Sequence, residues 1–276
     1  MFTALSIAGS DSCGGAGIQA DLKTMTAHGI YGMTAITALT AQNTTGVIDI
    51  YEVPPEFLAK QLDAVFTDIY PDAVKIGMLS GSDIMHVVTS KLIQYNAKNI
   101  VLDPVMVSTS GSCLMKNDSI DYMVENLFPL ARVITPNIPE AEVLTAMKIT
   151  CYDDMVKAGT ILHEQIQSMK KGQNLPYYSY DTEVLIKGGH NTETATDVLI
   201  NSIGVITYSG RRIDNPNTHG TGCTLSSAIA CQLANGRMVK DAVVYAKQYI
   251  NGALEANLNL GKGPGPLNHM WEQEEF

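Results

Sequence analysis

Residues 217–230, NTHGTGCTLSSAIA, place two glycines and a cysteine directly before an apolar-periodic segment. This order predicts a tight loop that enters a helix, whose first backbone N–H groups have no helical partner. The helix dipole and these N–H groups favour anions, and glycines let a phosphate approach the backbone. We therefore expect an anion site at Gly220 and Gly222. The spacing alone leaves open a second interpretation, a glycine turn beside a cysteine packed in the core.

Cys223 belongs to the first turn of this predicted helix. The dipole at a helix N-terminus favours the thiolate, so the position predicts a lowered thiol pKa and a reactive group inside the anion site. A buried, inert cysteine is the alternative. Cys231, in an apolar stretch of the same helix, exemplifies that alternative and is assigned no role.

Three oxygen-bearing side chains follow predicted strands in the segments DPV and TPNIPE, namely Asp103, Asn137 and Glu140. Mg²⁺ prefers one or two carboxylates together with waters and substrate phosphates. A turn acid before proline is the alternative for Asp103, and a favourable charge in the first turn of a helix is the alternative for Glu140. Their expected position at one edge of a sheet favours a magnesium site.

Further polar groups also follow predicted strands. Lys187 comes directly after VLI and can reach a nucleotide phosphate as a point charge, although a lone lysine is more often solvent-facing. The glycines of GSDSCGGAGIQAD, which carries Asp11 and Asp21, permit close contact with a flat ligand. Gln42 ends a strand, and its amide can both donate to and accept from a heteroaromatic ring, with a polar strand end as the alternative.

The elements that position these groups alternate along the chain. The sequence predicts strands at 4–9, 33–42, 73–79, 99–106, 132–137 and 182–190, followed by a short hairpin in TDVLIN and GVITYSG. It predicts helices at 18–28, 54–68, 82–95, 117–128, 138–147, 153–169, 222–234 and 238–257. Continuous apolar strands between helices indicate a three-layer α/β/α fold, a mostly parallel sheet with helices on both faces. In such sheets ligands bind at the carboxyl ends of the strands.

Composition limits the classes of function. The 276 residues suit one large domain, and we expect a single domain over 1–276. A net charge of −10 argues against nucleic-acid binding, which needs clustered Lys and Arg. Five scattered cysteines without a CxxC pair fit a reducing cytosol, and no segment resembles a signal peptide or a membrane span. The six histidines have no metal-ligand spacing, and the GxSxG elbow of serine hydrolases is missing.

The motifs resemble one family in their order along the chain. They are AGSDSCGGAGIQADLKT, TALTAQNT, KIGML, VLDPVM, ITPNIPEAE, LIKGGH, NTHGTGCTLSSAIA and GKGPGPLNH. Their combination is similar to the hydroxymethylpyrimidine (phosphate) kinases of thiamine biosynthesis, which are members of the ribokinase-like superfamily. The resemblance extends from residue 4 to about residue 269.

The resemblance implies a cytoplasmic, homodimeric kinase that uses ATP and Mg²⁺. It would phosphorylate 4-amino-5-hydroxymethyl-2-methylpyrimidine and then phosphorylate that monophosphate. It implies a pyrimidine site at Gly9, Ala16, Asp21, Thr40, Gln42, Met78 and Val105. It implies a catalytic anion loop at Gly220, Gly222 and Cys223, nucleotide contacts at Asn137, Lys187 and Thr221, and a metal site at Asp103 and Glu140.

Two features depart from the family pattern. Thr40 stands where family members often carry valine. The segment at 169–181, MKKGQNLPYYSYD, is longer than usual and precedes a strand, so it should lie at the edge opposite the active site. We therefore interpret Tyr177, Tyr178 and Tyr180 as part of a surface excursion or contact patch.

Other functions remain open at this point. A pyridoxal kinase of the same fold is the closest alternative, although pyridoxal-specific relatives tend to place an apolar residue at the position of Gln42. A sugar kinase would usually carry aspartate in place of Cys223. A non-catalytic pyrimidine-binding protein would not need an intact metal site and anion loop.

Overall fold

The structure, a computed structural model, describes residues 1–106, 117–173, 178, 180–189 and 195–273. Its strands are β1 Thr3–Ala8, β2 Tyr31–Ile36, β3 Ala38–Asn43, β4 Gly46–Glu52, β5 Ala73–Ile76, β6 Ile100–Leu102, β7 Val133–Ile134, β8 Glu183–Ile186, β9 Asp197–Asn201 and β10 Gly204–Tyr208. Its α-helices are α1 Gly17–Ala27, α2 Pro55–Asp68, α3 Ser82–Gln94, α4 Asn117–Tyr122, α5 Ile138–Thr145, α6 Tyr152–Gly172, α7 Thr221–Ala234 and α8 Val239–Glu255. The segment 117–128, predicted as one helix, changes to a π-helical turn at Met123–Leu127 and a 3-10 turn at Phe128–Leu130.

Eight strands form one sheet in the order β10-β9-β8-β7-β6-β5-β1-β2. The pairs from β2 to β8 are parallel, whereas β9 runs antiparallel to both β8 and β10. The first strand therefore lies inside the sheet, between β2 and β5, and strand order reverses beside it. Ligands bind at such a reversal, outside the carboxyl ends of the strands.

Helices cover both faces of the sheet because the strands are apolar on both faces. In β6, for example, Ile100 and Leu102 pack in one core cluster and Val101 in the other. Successive strand side chains point to opposite faces, so an uninterrupted apolar run supplies both layers. Helices α1, α7 and α8 pack on one side, while α2, α3 and α6 pack on the other. The predicted α/β/α layering is confirmed.

One strand prediction is wrong. The segment 33–42, predicted as a single strand, divides at Thr37 into β2 of the main sheet and β3, which pairs only with β4 in a separate hairpin. The buried Thr37 hydroxyl donates to the Met78 carbonyl at 2.8 Å, and its N–H donates to the Ala8 carbonyl at 3.0 Å. These bonds hold the chain where it leaves the sheet, and the hairpin carries Gln42 to the carboxyl ends of the strands.

The interpretation of 169–181 as a surface excursion is wrong for the tyrosines that the structure describes. Tyr178 is only 2% exposed, and its hydroxyl donates to the Leu92 carbonyl at 2.7 Å. The Tyr180 hydroxyl donates to the Leu130 carbonyl at 2.7 Å. Both tyrosines lie near the amino ends of the strands, as predicted, but their hydrogen bonds hold the segment against the core. Tyr177 lies outside the described residues.

Among the described residues, no helix has the length and apolar character needed to cross a membrane.

We expect Tyr178→Ala to lower the free energy of unfolding by about 3–5 kcal/mol, because it leaves a cavity in the core and removes the hydrogen bond to the Leu92 carbonyl. Urea denaturation measures this loss. Tyr245→Ala is the matched control, since that residue is 42% exposed and its ring stacks against Arg237. Equal losses in the two variants would show that Tyr178 does not anchor its segment.

Candidate active site

A cavity of about 710 Å³ opens at the carboxyl ends of the parallel strands. It is bounded by the loop after β1, the β3–β4 hairpin, the segments after β6, β7 and β8, and the N-terminus of α7. The cavity is lined by these residues predicted for the site: Gly9, Ala16, Thr40, Gln42, Met78, Asp103, Val105, Asn137, Glu140, Lys187, Gly220, Thr221, Gly222 and Cys223. Asp21 is the one predicted site residue that does not line the cavity.

The loop before α7 has the geometry of an anion site. Gly220 has a φ of +83°, and a Cβ on it would collide with the carbonyl of Gly15. The first helical bond runs from the Thr224 N–H to the Gly220 carbonyl at 2.9 Å, and the Thr221 N–H donates to the Thr218 carbonyl at 3.2 Å, so the N–H groups of Gly222 and Cys223 are those without a helical partner. Only glycine permits this contact between two backbones, which joins the loop after β1 to the anion loop.

A charged corner adjoins the anion loop. Lys187 Nζ donates to Asp103 Oδ1 at 2.7 Å, and the Thr135 hydroxyl donates to the same oxygen at 3.0 Å. Asp103 Oδ2 lies on the side of Gly222, 3.3 Å from where a Cβ on that glycine would stand. Although burial opposes it, the carboxylates of Asp103 and Glu140 raise the pKa of Lys187, so the ammonium is charged.

Glu140 lies in the first turn of α5, the position that the sequence offered as the alternative to a metal site. Its side chain accepts from the Asn137 N–H at 2.8 Å while Asn137 accepts from the Glu140 N–H at 2.9 Å, a capping box at the start of α5. It also accepts from the Met106 N–H at 3.3 Å. Burial raises the pKa of Glu140, Lys187 opposes that shift, and Asp103 adds to it. The carboxyl group therefore braces the corner whether or not it also binds a metal.

The donor set fits Mg²⁺. Asp103 Oδ2 faces the anion loop, where a phosphate oxygen could share the ion, and Glu140 adds a second carboxyl group nearby. Magnesium is usually held by one or two carboxylates and substrate phosphates rather than by a full set of protein ligands.

The thiol of Cys223 does not have the electrostatics that its helix position predicts. Burial raises its pKa, and the nearby Asp21 and Asp103 add to that shift. The Lys75 ammonium and a hydrogen bond from the Gly17 N–H act in the opposite direction without reversing it. The predicted lowering is therefore wrong in direction, and the thiol is protonated at neutral pH. A neutral thiol does not repel the anion that the loop would bind.

Asp21 lies behind the cavity, and its assignment to the pyrimidine site is corrected. Lys75 Nζ lies 2.9 Å from both carboxylate oxygens, and both side chains are fully buried. The hydroxyls of Ser6 and Ser227 donate to the same carboxylate at 2.5 and 2.6 Å. Asp21 therefore links α1 to β1, β5 and α7, where its partner Ser227 lies one turn after Cys223. Its side chain is fully buried and has no surface for a substrate.

The sequence reasoning missed several polar groups of the site. Lys75 interrupts the apolar strand AVKI, which is the one signal that could have marked it. Asp11 and His219 were assigned no site role, yet both line the cavity and form a hydrogen bond of 2.8 Å. The two residues are 208 positions apart, so no local pattern joins them.

The end of the cavity away from Gln42 was not predicted. It is lined by a segment after β10 and by one face of α8, with these residues: Arg211, Arg212, Ile213, Asp214, Asn215, Ile250, Asn251 and Leu254. Lys247 on the same helix donates to Asp197 and to the Ala195 carbonyl. An apolar floor with polar groups around it is suited to the base and ribose of a nucleotide.

The comparison with known proteins identifies the chain's relatives. The family model described as phosphomethylpyrimidine kinase matches residues 11–268. The chain belongs to this family. Over 272 residues it is 41% identical to the hydroxymethylpyrimidine/phosphomethylpyrimidine kinase of Bacillus subtilis (strain 168), covering 98% of this chain and 95% of that protein. The resemblance inferred from the motifs is confirmed.

Two further proteins are similar to this chain, one of them about twice as long and the other a solved structure. The chain is 45% identical over 272 residues to the thiamine biosynthesis bifunctional protein ThiED of Geobacter sulfurreducens, and the match takes in 98% of this chain. It covers 53% of that protein, so the chain spans about half of its length. The fold is similar to the pyridoxal kinase of Staphylococcus aureus in complex with AMP-PCP, with a TM-score of 0.87 at 31% identity over 100% of this chain and 96% of that one. The ribokinase-like architecture is thereby confirmed.

We expect Asp21→Asn to lower the free energy of unfolding by about 3–5 kcal/mol, because it leaves the buried Lys75 ammonium without its counter-ion. Urea denaturation measures the effect. Lys91→Met is the control, since it removes a partly exposed pair with Asp63 and should cost about 1 kcal/mol or less. A small loss for Asp21→Asn would mean that this pair does not hold α7 in place.

We expect Cys223 to react with iodoacetamide half-maximally at a pH above about 8.5, the ordinary thiol value, because burial raises its pKa. Mass spectrometry of the labelled peptides measures the rate, and the exposed Cys151 serves as an internal reference for reagent access. Lys75→Met should move the profile of Cys223 further upward. A half-maximal rate at neutral pH would instead support a standing thiolate.

Proposed function

We propose that this protein transfers phosphoryl groups from ATP to 4-amino-5-hydroxymethyl-2-methylpyrimidine and then to the resulting monophosphate. The observation that carries the proposal is the convergence in one cavity of an anion loop, a carboxylate–lysine corner and the Gln42 amide. Membership of the phosphomethylpyrimidine kinase family supports the same reaction. The residues 1–276 would then act as a single kinase domain.

We propose a role for each part of the cavity. The pyrimidine would lie at the end of Gln42, between the loop after β1 and Met78, and the nucleotide would lie along α8. Gly220 and Gly222 would receive the transferred group between them, with the charge of Lys187 beside it. Phosphoryl transfer depends mainly on such positioning and charge stabilisation. When bound at Asp103, Mg²⁺ would neutralise phosphate charge.

The two steps place different demands on Cys223. In the first, the substrate hydroxyl attacks the γ-phosphorus, its proton must leave, and the bond to ADP breaks. In the second, the attacking group is a phosphate monoester whose second pKa is about 6, so it is mostly ionised already. A base therefore helps only the first step. Because the pKa of Cys223 is raised, only its small thiolate fraction, stabilised by the nearby Lys75 charge, would accept the hydroxyl proton in the first step.

The proposal includes a homodimer in the cytoplasm. The β3–β4 hairpin exposes apolar side chains at Leu39, Ile48, Ile50 and Tyr51, which a second copy would cover. Light scattering of the purified chain tests the dimer, and a monomer would contradict it. ATP and a reducing environment, which suits the free thiols of Cys13 and Cys223, are available in the cytoplasm.

Pyridoxal phosphorylation is the second candidate, favoured by the structural similarity to a pyridoxal kinase. Gln42 argues for the aminopyrimidine, because a pocket that hydrogen-bonds its substrate discriminates against rings that leave its polar groups unmatched. A coupled ADP-release assay with the pyrimidine alcohol, its monophosphate and pyridoxal decides between them. A higher kcat/KM for pyridoxal than for either pyrimidine would contradict the proposal.

We expect Cys223→Ala to reduce phosphorylation of the alcohol by about 10²–10⁴-fold, the usual contribution of a general base, and phosphorylation of the monophosphate much less. Separate assays that start from each substrate measure the two losses. Cys223→Ser is the control, because it keeps a hydrogen-bonding group of similar shape. If both steps fall equally, Cys223 shapes the anion loop and is not a base.

We expect Asp103→Asn to raise the Mg²⁺ concentration needed for half-maximal rate, because it removes a charged oxygen from the corner beside Gly222. Initial rates across a magnesium titration measure the shift. Glu140→Gln should have the same direction of effect if its carboxyl group shares the ion. An unchanged magnesium dependence in both variants would assign these residues to bracing the loops alone.

A further inference from the structure

His219, the residue before the anion loop, is buried between an aspartate and the amide of Gln42. Its Nε2 atom lies 2.8 Å from Asp11 Oδ2 and 3.5 Å from the terminal nitrogen of Gln42. His219 is 6% exposed and Asp11 is 1% exposed. A single ring nitrogen is thus shared between a carboxylate and the group that would read the substrate ring.

The charge of Asp11 determines whether Nε2 of His219 carries a proton. Its Oδ2 accepts from the N–H groups of Gly15 and Ala16 at 3.1 and 2.8 Å, and its Oδ1 accepts from the Cys13 N–H at 3.0 Å. Although burial opposes it, hydrogen bonds from His219, Cys13 and the backbone hold the pKa of Asp11 well below its usual range. An ionised carboxylate only accepts, so Nε2 of His219 must carry a proton.

The protonated Nε2 constrains the Gln42 amide. If the amide nitrogen faced it, two N–H groups would meet at 3.5 Å without an acceptor between them. A half-turn about the last side-chain bond exchanges the amide oxygen and nitrogen without changing the shape of the group. The oxygen then shares the single Nε2 proton of His219 as the longer branch of a bond whose shorter branch, at 2.8 Å, goes to Asp11. The nitrogen donates to Thr40 Oγ1, which lies 3.2 Å from that end of the amide. Thr40 Oγ1 gives its own proton to the Ser10 carbonyl at 2.8 Å.

We propose that His219, oriented by Asp11, is a specificity-determining residue that locks the Gln42 amide with its oxygen towards His219 and its nitrogen towards Thr40. This inference rests on the proposed function, since it concerns how the same cavity reads its pyrimidine. In the resulting series of hydrogen bonds, every donor proton has an acceptor. The series runs from Asp11 through His219, Gln42 and Thr40 to Ser10. The amide keeps one N–H and one oxygen lone pair for the substrate, in a fixed spatial order.

The fixed positions of the amide donor and acceptor distinguish a 4-aminopyrimidine from a 4-oxopyrimidine of the same size. Along the edge of a 4-aminopyrimidine, a ring nitrogen accepts and the exocyclic amino group donates. In the 4-oxo analogue, 5-hydroxymethyl-2-methylpyrimidin-4(3H)-one, the ring N–H donates and the exocyclic oxygen accepts. A freely turning amide could match either ring by rotating, whereas a locked amide matches only one. His219 would thus determine the choice of ring through the Gln42 amide.

The experiment measures kcat/KM for the 4-amino and 4-oxo pyrimidine alcohols in the wild type, His219→Leu and His163→Leu. We expect the wild type to prefer the 4-amino ring by on the order of a hundredfold or more, since mismatched buried groups are costly. His219→Leu should reduce that preference by about tenfold, chiefly by a lower KM for the 4-oxo ring. His163→Leu is the matched control, because it removes another buried histidine–aspartate pair, at 2.7 Å from Asp181, far from the cavity, and should keep the full preference.

A second measurement does not depend on the variants. Hydrogen–nitrogen NMR correlation of the labelled wild type identifies which ring nitrogen of His219 carries the proton, and we expect Nε2. A proton on Nδ1 alone would overturn the inference, and so would an undiminished preference in a folded His219→Leu. If the wild type phosphorylates neither pyrimidine, the proposed function fails, while the NMR result still tests the lock.

Discussion

The buried ion pair between Lys75 and Asp21 is the interaction on which the active-site geometry depends. It occupies inward positions on the side of the sheet covered by α1 and α7, where the strands otherwise supply apolar side chains. Two charges removed from water are stable there only because they satisfy each other and two serine hydroxyls. The pair therefore holds α7, and with it the anion loop, at one position over the ends of β1 and β5.

Close backbone contact is the second requirement of the site. Gly220 meets the backbone of Gly15 and has no room for a side chain, and a Cβ on Gly222 would stand 3.3 Å from Asp103 Oδ2 and 3.5 Å from Lys187 Nζ. These contacts bring the substrate loop, the anion loop and the charged corner into one cavity. Val105 lines the same cavity and has a φ of +27°. Such backbone strain in a non-glycine residue is common at functional sites.

The electrostatics of the site follow from burial more than from the helix dipole. Cys223 stands at a helix N-terminus, yet burial and two nearby carboxylates raise its pKa. Asp11 is also buried, yet directed hydrogen bonds keep it ionised. The difference arises because Asp11 has several donors aimed at its oxygens, while Cys223 has one N–H and a lysine whose charge is already shared with Asp21. The number of hydrogen-bond donors directed at each group thus determines which groups in the site are charged.

The sequence by itself determined the order of the helices and of the strands of the main sheet, their layering and the edge at which Asp103, Asn137, Lys187 and Gly222 meet. These follow from apolar periodicity and from the rule that strand ends converge, both of which are local patterns. The sequence did not predict the strand β4. Only the tertiary structure decided that Asp21 faces Lys75 rather than a ligand, that Thr37 divides a strand, and that Asp11 meets His219. Those outcomes depend on contacts between residues distant in sequence, and on burial, which sets charge states that a residue's position along a helix cannot predict.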